Sequence, residues 1–533
     1  MTNPRFRFLG LVLFVGLLVT RVSPAGEPYL VRDINVGEAS SLEGNADEIL
    51  GVPWNDRFYF VVGDDLWVSD GTEEGSYLLA KPNGVSYLTP TPQHIYFVGQ
   101  DGSELWLSDG TVDGTHVIKD GLIEIRKLHW TGNLLFFSAV QSLLGRDLWV
   151  SGGTTESTYM VADISDHASD SVDPYGLMTL RGHLYFFTDL GTASLYKSDG
   201  TEEGTTLVRS FPSASVSNES VTFDRQMYFA GPHTGGLAVW RSDGTTDGTS
   251  VLSGTPQIKQ LSFLGDQLYF SVESLGFFQC DSQSGSLTKI SDVYPGFDDL
   301  HHAAVNVNGT LFFNGFSHAY GNELWKSDGT PAGTGMVIDL VEGEWNSNPI
   351  SFINAEGTLF YLSLDDGNDY RVMKSDGTEA GTRSLFDNEE LPGEDASHLT
   401  NVNGIVFMGV KTDEFGKELW AYELEGACCY LDSTCADNVH FRDCRSNGGV
   451  FQGDESTCQA SCSYGMHGDI DNSSWVEDYD HRLFVTCLGV QSTVCHGAFD
   501  SNGDQQIDLL DFAVFQSEFT GEVAYDVPRI NRD

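Results

Sequence analysis

The chain has 533 residues and a formal charge of −49, from 28 basic and 77 acidic side chains. Such a field argues against nucleic acid and anionic membranes as partners, and it favours solubility and divalent cations. The length allows two to four domains.

The first element is a leader. Arg5 and Arg7 precede an apolar run from Phe8 to Val19, and Ser23, Pro24 and Ala25 offer small residues where a signal peptidase reads. The run is short for a membrane span. A signal peptide over 1–25 is expected, with cleavage after Ala25 and a secreted or cell-surface location. No cysteine sits near the cut to carry a lipid, and no other segment is apolar and long enough to be a transmembrane span.

Residues 27–425 are a repeat. The anchors are Trp67, Trp106, Trp149, Tyr196, Trp240, Phe278, Trp325, Met373 and Trp420, spaced 38 to 48 residues apart. Before each anchor runs an apolar strand, in most units ending in aromatics, as in FYF at 58–60 and LFF at 311–313. After it comes SDGT, intact at 69–72, 108–111, 198–201, 242–245, 327–330 and 375–378, and then a last strand. All-strand units of this length predict the four-stranded blades of a single all-β propeller. A plain count gives nine blades; eight is the alternative if the degenerate unit around Phe278 (FFQCDSQSGS) is miscounted. YLVRDINVG at 29–37 matches the end of a unit, MVIDLVEG at 336–343, whereas ELWAYEL at 418–424 has no such strand after it. The N-terminal strand is therefore expected to complete the last blade. Asp-Gly suits a tight turn, and the Ser and Asp side chains can bond backbone N–H groups inside it. The SDGT segments read as turns, with ion-binding aspartates as the minority alternative.

The units resemble the ELWxSDGT repeats of large secreted bacterial proteins of planctomycete-like genomes, over roughly residues 29–425. That resemblance implies no particular activity.

Eight of the nine cysteines follow residue 427, six of them within 426–463: Cys428, Cys429, Cys435, Cys444, Cys458 and Cys462. A short exported segment with six cysteines reads as a module stapled by three disulfides, of pairing not legible in the sequence. Zinc is the alternative. The segment resembles Cys-rich modules that precede C-terminal anchoring domains in similar secreted proteins. Cys280 stands apart and is expected to be a buried thiol.

The last segment carries two acidic loops. In 500–511, oxygen ligands fall at Asp500, Asn502, Asp504, Gln506 (through its carbonyl), Asp508 and Asp511; in 469–480 the same positions hold Asp469, Asp471, Ser473, Trp475, Glu477 and Asp480. This spacing wraps a chain around Ca2+, which takes six to eight oxygens. An amphipathic helical stretch follows each loop, and Cys487 and Cys495 between them could form a local disulfide. The duplicated loop-and-helix units resemble dockerin type I domains over about 467–521. That resemblance implies a small α-helical calcium-binding domain over 464–521, followed by a tail at 522–533. It also implies a cohesin-like or other extracellular protein partner, biased by Asp478, Tyr479, Leu509 and Leu510, and an association with polysaccharide degradation. Ser474 and Gln505 stand where a Gly normally allows the sharp turn, so a weak site is expected, of about 10⁻⁴–10⁻³ M.

No HExxH, GxSxG or GxxxxGK[ST] motif is present, and His301–His302 is the only adjacent histidine pair. Two functions remain. One is an exported non-catalytic binder of protein or glycan with a docking tail. The alternative is a glycoside hydrolase or lyase with paired carboxylates in the propeller channel, about 5–10 Å apart.

Overall fold

A computed structural model describes residues 26–458, apart from short segments such as 43–50, 163–172, 296–303 and 387–393, together with Phe499. Nine antiparallel sheets of the blade type follow one another along the chain, and a smaller three-stranded sheet comes after them. The degenerate unit is a full blade, with strands Ile258–Leu264, Gln267–Val272, Gly276–Cys280 and Leu287–Ser291. Nine is therefore the count among the described residues. Blade 7 departs from the pattern: its first strand is broken into Tyr294–Pro295 and Val305–Val307.

The expected closing strand is present. Tyr29–Arg32 lies beside Gly416–Glu423 in blade 9, with Leu30 opposite Trp420. Each blade is apolar on both faces and buries them against its neighbours. Val52 and Leu79 of blade 1 pack with Ile95 and Phe97 of blade 2, and equivalent clusters follow at each junction up to Phe360 against Tyr422 between blades 8 and 9. Val31, Phe58 and Phe60 then meet Phe407 and Leu419, joining blade 9 to blade 1. The sheets thus form a closed, propeller-like ring. Each fully buried Phe in these seams contributes about 2–3 kcal/mol of transfer free energy.

The anchor residue works by cross-strand pairing. Register places Trp106 opposite Phe97 and Trp240 opposite Phe229, and their rings stack at 5.6 and 6.3 Å. Phe278 does the same with Phe270 in the degenerate unit. A Cβ on Gly315 would lie 2.4 Å from the Trp325 ring, so that glycine makes room for the indole.

The SDGT turn is closed on itself. In blade 7, Ser327 Oγ accepts the Gly329 N–H, and Asp328 Oδ1 accepts both the N–H and the hydroxyl of Thr330, at 2.9 and 2.7 Å. Thr330 Oγ1 accepts the Gly333 N–H, and the Thr334 hydroxyl donates to the Thr330 carbonyl. These threonine bonds hold Asp109, Asp199, Asp243 and Asp328 below the ordinary aspartate pKa. Aspartates used in this way close the turn, the role expected of them.

The cysteine module is a three-stranded sheet, Glu425–Tyr430 flanked by Cys435–His440 and Gly449–Asp454, with a short helix Phe441–Ser446. Disulfides join Cys428 to Cys444 and Cys435 to Cys458, and Cys429 is disulfide-bonded too. Oxidised sulfur cannot ligate zinc as thiolate, which removes the zinc alternative for these five. The module does not rely on staples alone. Phe441 joins the core of blades 8 and 9. Asp454 is buried against Lys374 Nζ at 2.7 Å and the Tyr422 hydroxyl at 2.8 Å. Cys280 is a free, buried thiol whose pKa burial pushes up to about 11. No helix among the described residues is long and apolar enough to cross a membrane.

Candidate functional site

Strand order divides the ring into two faces. SDGT turns join the third and fourth strands of a blade, and the cysteine module packs at that end, where Gly404 meets Phe441. The opposite face carries the hairpins between second and third strands and the connections between blades. The first strands of neighbouring blades contact one another around the ring, so they line its centre.

Six of these first strands break register towards the second face: after Ser86, Ile123, Tyr175, Lys259, Ile350 and Glu394. Tyr87, Glu124, Ser351 and Asp395 there take positive φ of 47 to 54°. β-Bulges of this kind re-aim side chains at the rim of a channel. They place charge at the mouth in a particular way. Glu124 meets Arg146 and Arg126, Asp173 meets Lys127 at 3.0 Å, and Asp395 meets Lys417 at 3.4 Å. Each of these acids is tied to a cation, whereas a glycosidase general acid depends on a second carboxylate or an apolar pocket to raise its pKa.

The acids with raised pKa lie elsewhere. Glu323 is fully buried at the start of the third strand of blade 7. Burial pushes its carboxyl up to about 7, against the pull of bonds from the Ser347 hydroxyl, the Leu340 N–H and the Ser347 N–H. Glu418 repeats this at the ring closure: burial raises it too, and it accepts from the Ser41 hydroxyl and the Ile34 N–H. In both loops an Asp accepts a Gly N–H four residues on, Asp33 from Gly37 and Asp339 from Gly343. These are latches that hold connecting loops onto the ring. Their signal is the spacing Asp-x3-Gly-x3-Ser, present twice, together with a Glu two residues before Trp. Glu104, which also precedes a Trp by two, accepts the Trp106 indole N–H at 3.0 Å instead.

A cleft of about 630 Å³ opens on the same face beside the closure. Its walls include Trp67, Asn35, Asn83 and the Lys81–Asp65 ion pair of 2.9 Å. Arg32 of the closing strand lies over the Trp67 ring at 5.9 Å, so the closure forms part of the wall. This polar cleft with an indole was not legible in the sequence, because its walls come from residues 34–41 and 62–83.

The expected calcium loops 469–480 and 500–511, the partner-choice residues Asp478, Tyr479, Leu509 and Leu510, and Cys462, Cys487 and Cys495 lie outside the described residues. Among the described residues no group of three or more His, Cys, Asp or Glu is arranged to hold a metal.

No protein-family model matches the chain, and no curated protein matches it. Solved structures similar to it include the computationally designed Ika8 protein, at 15% identity and a TM-score of 0.37, over 63% of this chain and 95% of that one. Puromycin hydrolase is similar at 13% identity and a TM-score of 0.35, over 66% of this chain. A prolyl endopeptidase is similar at 12% and 0.38, over 62% of this chain. The chain spans 61% and 54% of the lengths of those two enzymes.

Proposed function

We propose that the chain is an exported, non-catalytic binding or scaffold protein. Its ring presents a protein- or glycan-binding face, and its calcium-dependent, dockerin-like C-terminal module docks it to a cohesin-like or other extracellular partner. The observation that carries this reading is how the acids are used. The repeated aspartates close turns, the described acids Glu124, Asp173 and Asp395 at the channel mouth are tied to cations, and the two glutamates of raised pKa fasten loops. What is left open to a ligand is a face of variable hairpins and connections. Disulfides fit an oxidising, extracytoplasmic compartment, and the charge of −49 suits a calcium-dependent contact.

The test uses the full chain, with and without millimolar calcium, on an array of glycans and polysaccharides scored for both retention and product release. Retention without release is expected, together with calcium-dependent ordering of the C-terminal region by circular dichroism. Release of reducing ends would overturn the non-catalytic reading. No spectral change with calcium would overturn the dockerin-like one.

A further inference from the structure

Blade 7 carries an aromatic side chain that the fold does not use. Trp345 is 73% exposed, while every other described tryptophan is buried or half-buried. Tyr320, on the hairpin beside it, is 43% exposed. Large apolar side chains left in water on a rigid support mark contact surfaces.

The support is rigid. The Trp345 carbonyl approaches Gly321 so closely that a Cβ there would lie 2.3 Å from it, and Gly321 takes φ +68°. The next three residues are each bonded to the hairpin. Asn346 Oδ1 accepts the Asn322 N–H at 2.8 Å, Ser347 N–H donates to the Asn322 carbonyl at 3.0 Å, and Asn348 Oδ1 accepts from Asn322 Nδ2 at 3.1 Å. Below them, Ser347 is held by buried Glu323. Trp345 therefore projects from a fixed turn, and little backbone freedom remains to be lost on binding.

The latch itself has no need of the indole. Its twin at the ring closure has the same Asp-x3-Gly-x3-Ser spacing and the same bond into the hairpin, from the Lys417 N–H to Ser40 Oγ, but Ala39 stands where Trp345 does. Neither loop of the blade 7 patch, 316–322 or 341–349, contains a Lys or Arg, and Glu342 and Glu344 are exposed beside Trp345. That disfavours an anionic ligand. Amides border the patch as well: Asn346, next to Trp345, is exposed, and Asn348 is half-buried. Flat aromatic faces bordered by amide and carboxylate groups suit a ligand with an apolar C–H face and a hydroxyl rim.

We infer that Trp345 and Tyr320 form a stacking platform for the pyranose rings of a neutral polysaccharide, on the face opposite the SDGT turns. This deepens the binding-scaffold reading and rests on it.

Affinity electrophoresis of the full chain in gels of xyloglucan, glucomannan or mixed-linkage β-glucan tests it, with alginate and bovine serum albumin as controls. Retardation by at least one neutral polymer is expected, unchanged by calcium chelation. Trp345→Ala should weaken it about tenfold, in line with a stacked aromatic contact, and Trp345→Phe should weaken it less. Unaltered melting of both variants would show that they fold. Retardation that survives Trp345→Ala would overturn the platform while leaving a glycan-binding ring in place. Retardation by alginate alone, or by no neutral polymer, would overturn it too. In either case calcium-dependent ordering of the C-terminal region would stand or fall separately.

Discussion

Blade 3 contains a natural exchange that can be transplanted. In six turns the Asp of SDGT is followed five residues later by Gly, and a Cβ on that Gly would fall about 2 Å from the Asp carboxylate, 2.1 Å at Gly333. In blade 3 both residues differ: Gly152 replaces the Asp, and Ser157 replaces the Gly. Ser157 Oγ then does the work of the carboxylate, accepting the Thr154 N–H at 3.0 Å and lying 2.9 Å from the Thr154 hydroxyl. Asp328→Gly alone should destabilise the turn only modestly, because the two hydrogen bonds it removes are exposed to water. Gly333→Ser alone pushes the carboxylate off Thr330, losing the same bonds and adding overlap, and should cost more than Asp328→Gly. The double variant rebuilds the blade 3 turn and should cost less than Gly333→Ser alone, so the two changes are non-additive. Hydrogen exchange at the 329–334 amides, supported by urea unfolding, reads these differences locally. Additive costs, or a double variant as poor as Gly333→Ser, would refute the exchange.

Three further outcomes are expected. Glu323 has a folded pKa of about 7 against an ordinary 4.5, so its contribution is complete at low pH and is lost as pH rises through 7. The melting difference between wild type and Glu323→Gln should therefore move in favour of wild type between pH 8 and pH 5; a difference independent of pH would contradict it. Gly315→Ala places a methyl 2.4 Å from the Trp325 ring and should destabilise by about 1–3 kcal/mol, read by thermal melting. Lys374→Met leaves Asp454 buried without its cation and should cost about 3–5 kcal/mol, seen as faster proteolysis near residue 425; unchanged cleavage would show that the module stays docked without the Lys374–Asp454 pair.

Much of the ring was legible because its signals are local. The bulky anchor, the aromatic strand before it and the Asp-Gly after it are each explained by contacts within one blade. The closing strand was legible because residues 29–37 copy a blade ending. The glycine five residues after the Asp is as strictly required as the Asp itself, yet it looked like ordinary turn composition. Its role depends on where the carboxylate points, which no pattern shows. The docking of the cysteine module was missed for a related reason: Asp454 reaches Lys374 across 80 residues. The latches were half-legible. Their spacing is in the sequence, but the burial that raises Glu323 comes from the fold.

The sheet shared by the two ends of the ring governs how it can assemble. Leu30 waits for Trp420, and Phe58 for Phe407. During synthesis the first blade keeps one apolar side bare until the ninth is made, so assembly finishes with a contact between residues nearly 400 apart. Contacts that remote are slow to form. Open repeat arrays fray from their terminal units. Here no unit is terminal, so loosening any single blade must break the circle, and the ring should melt as one body rather than unravel from an end.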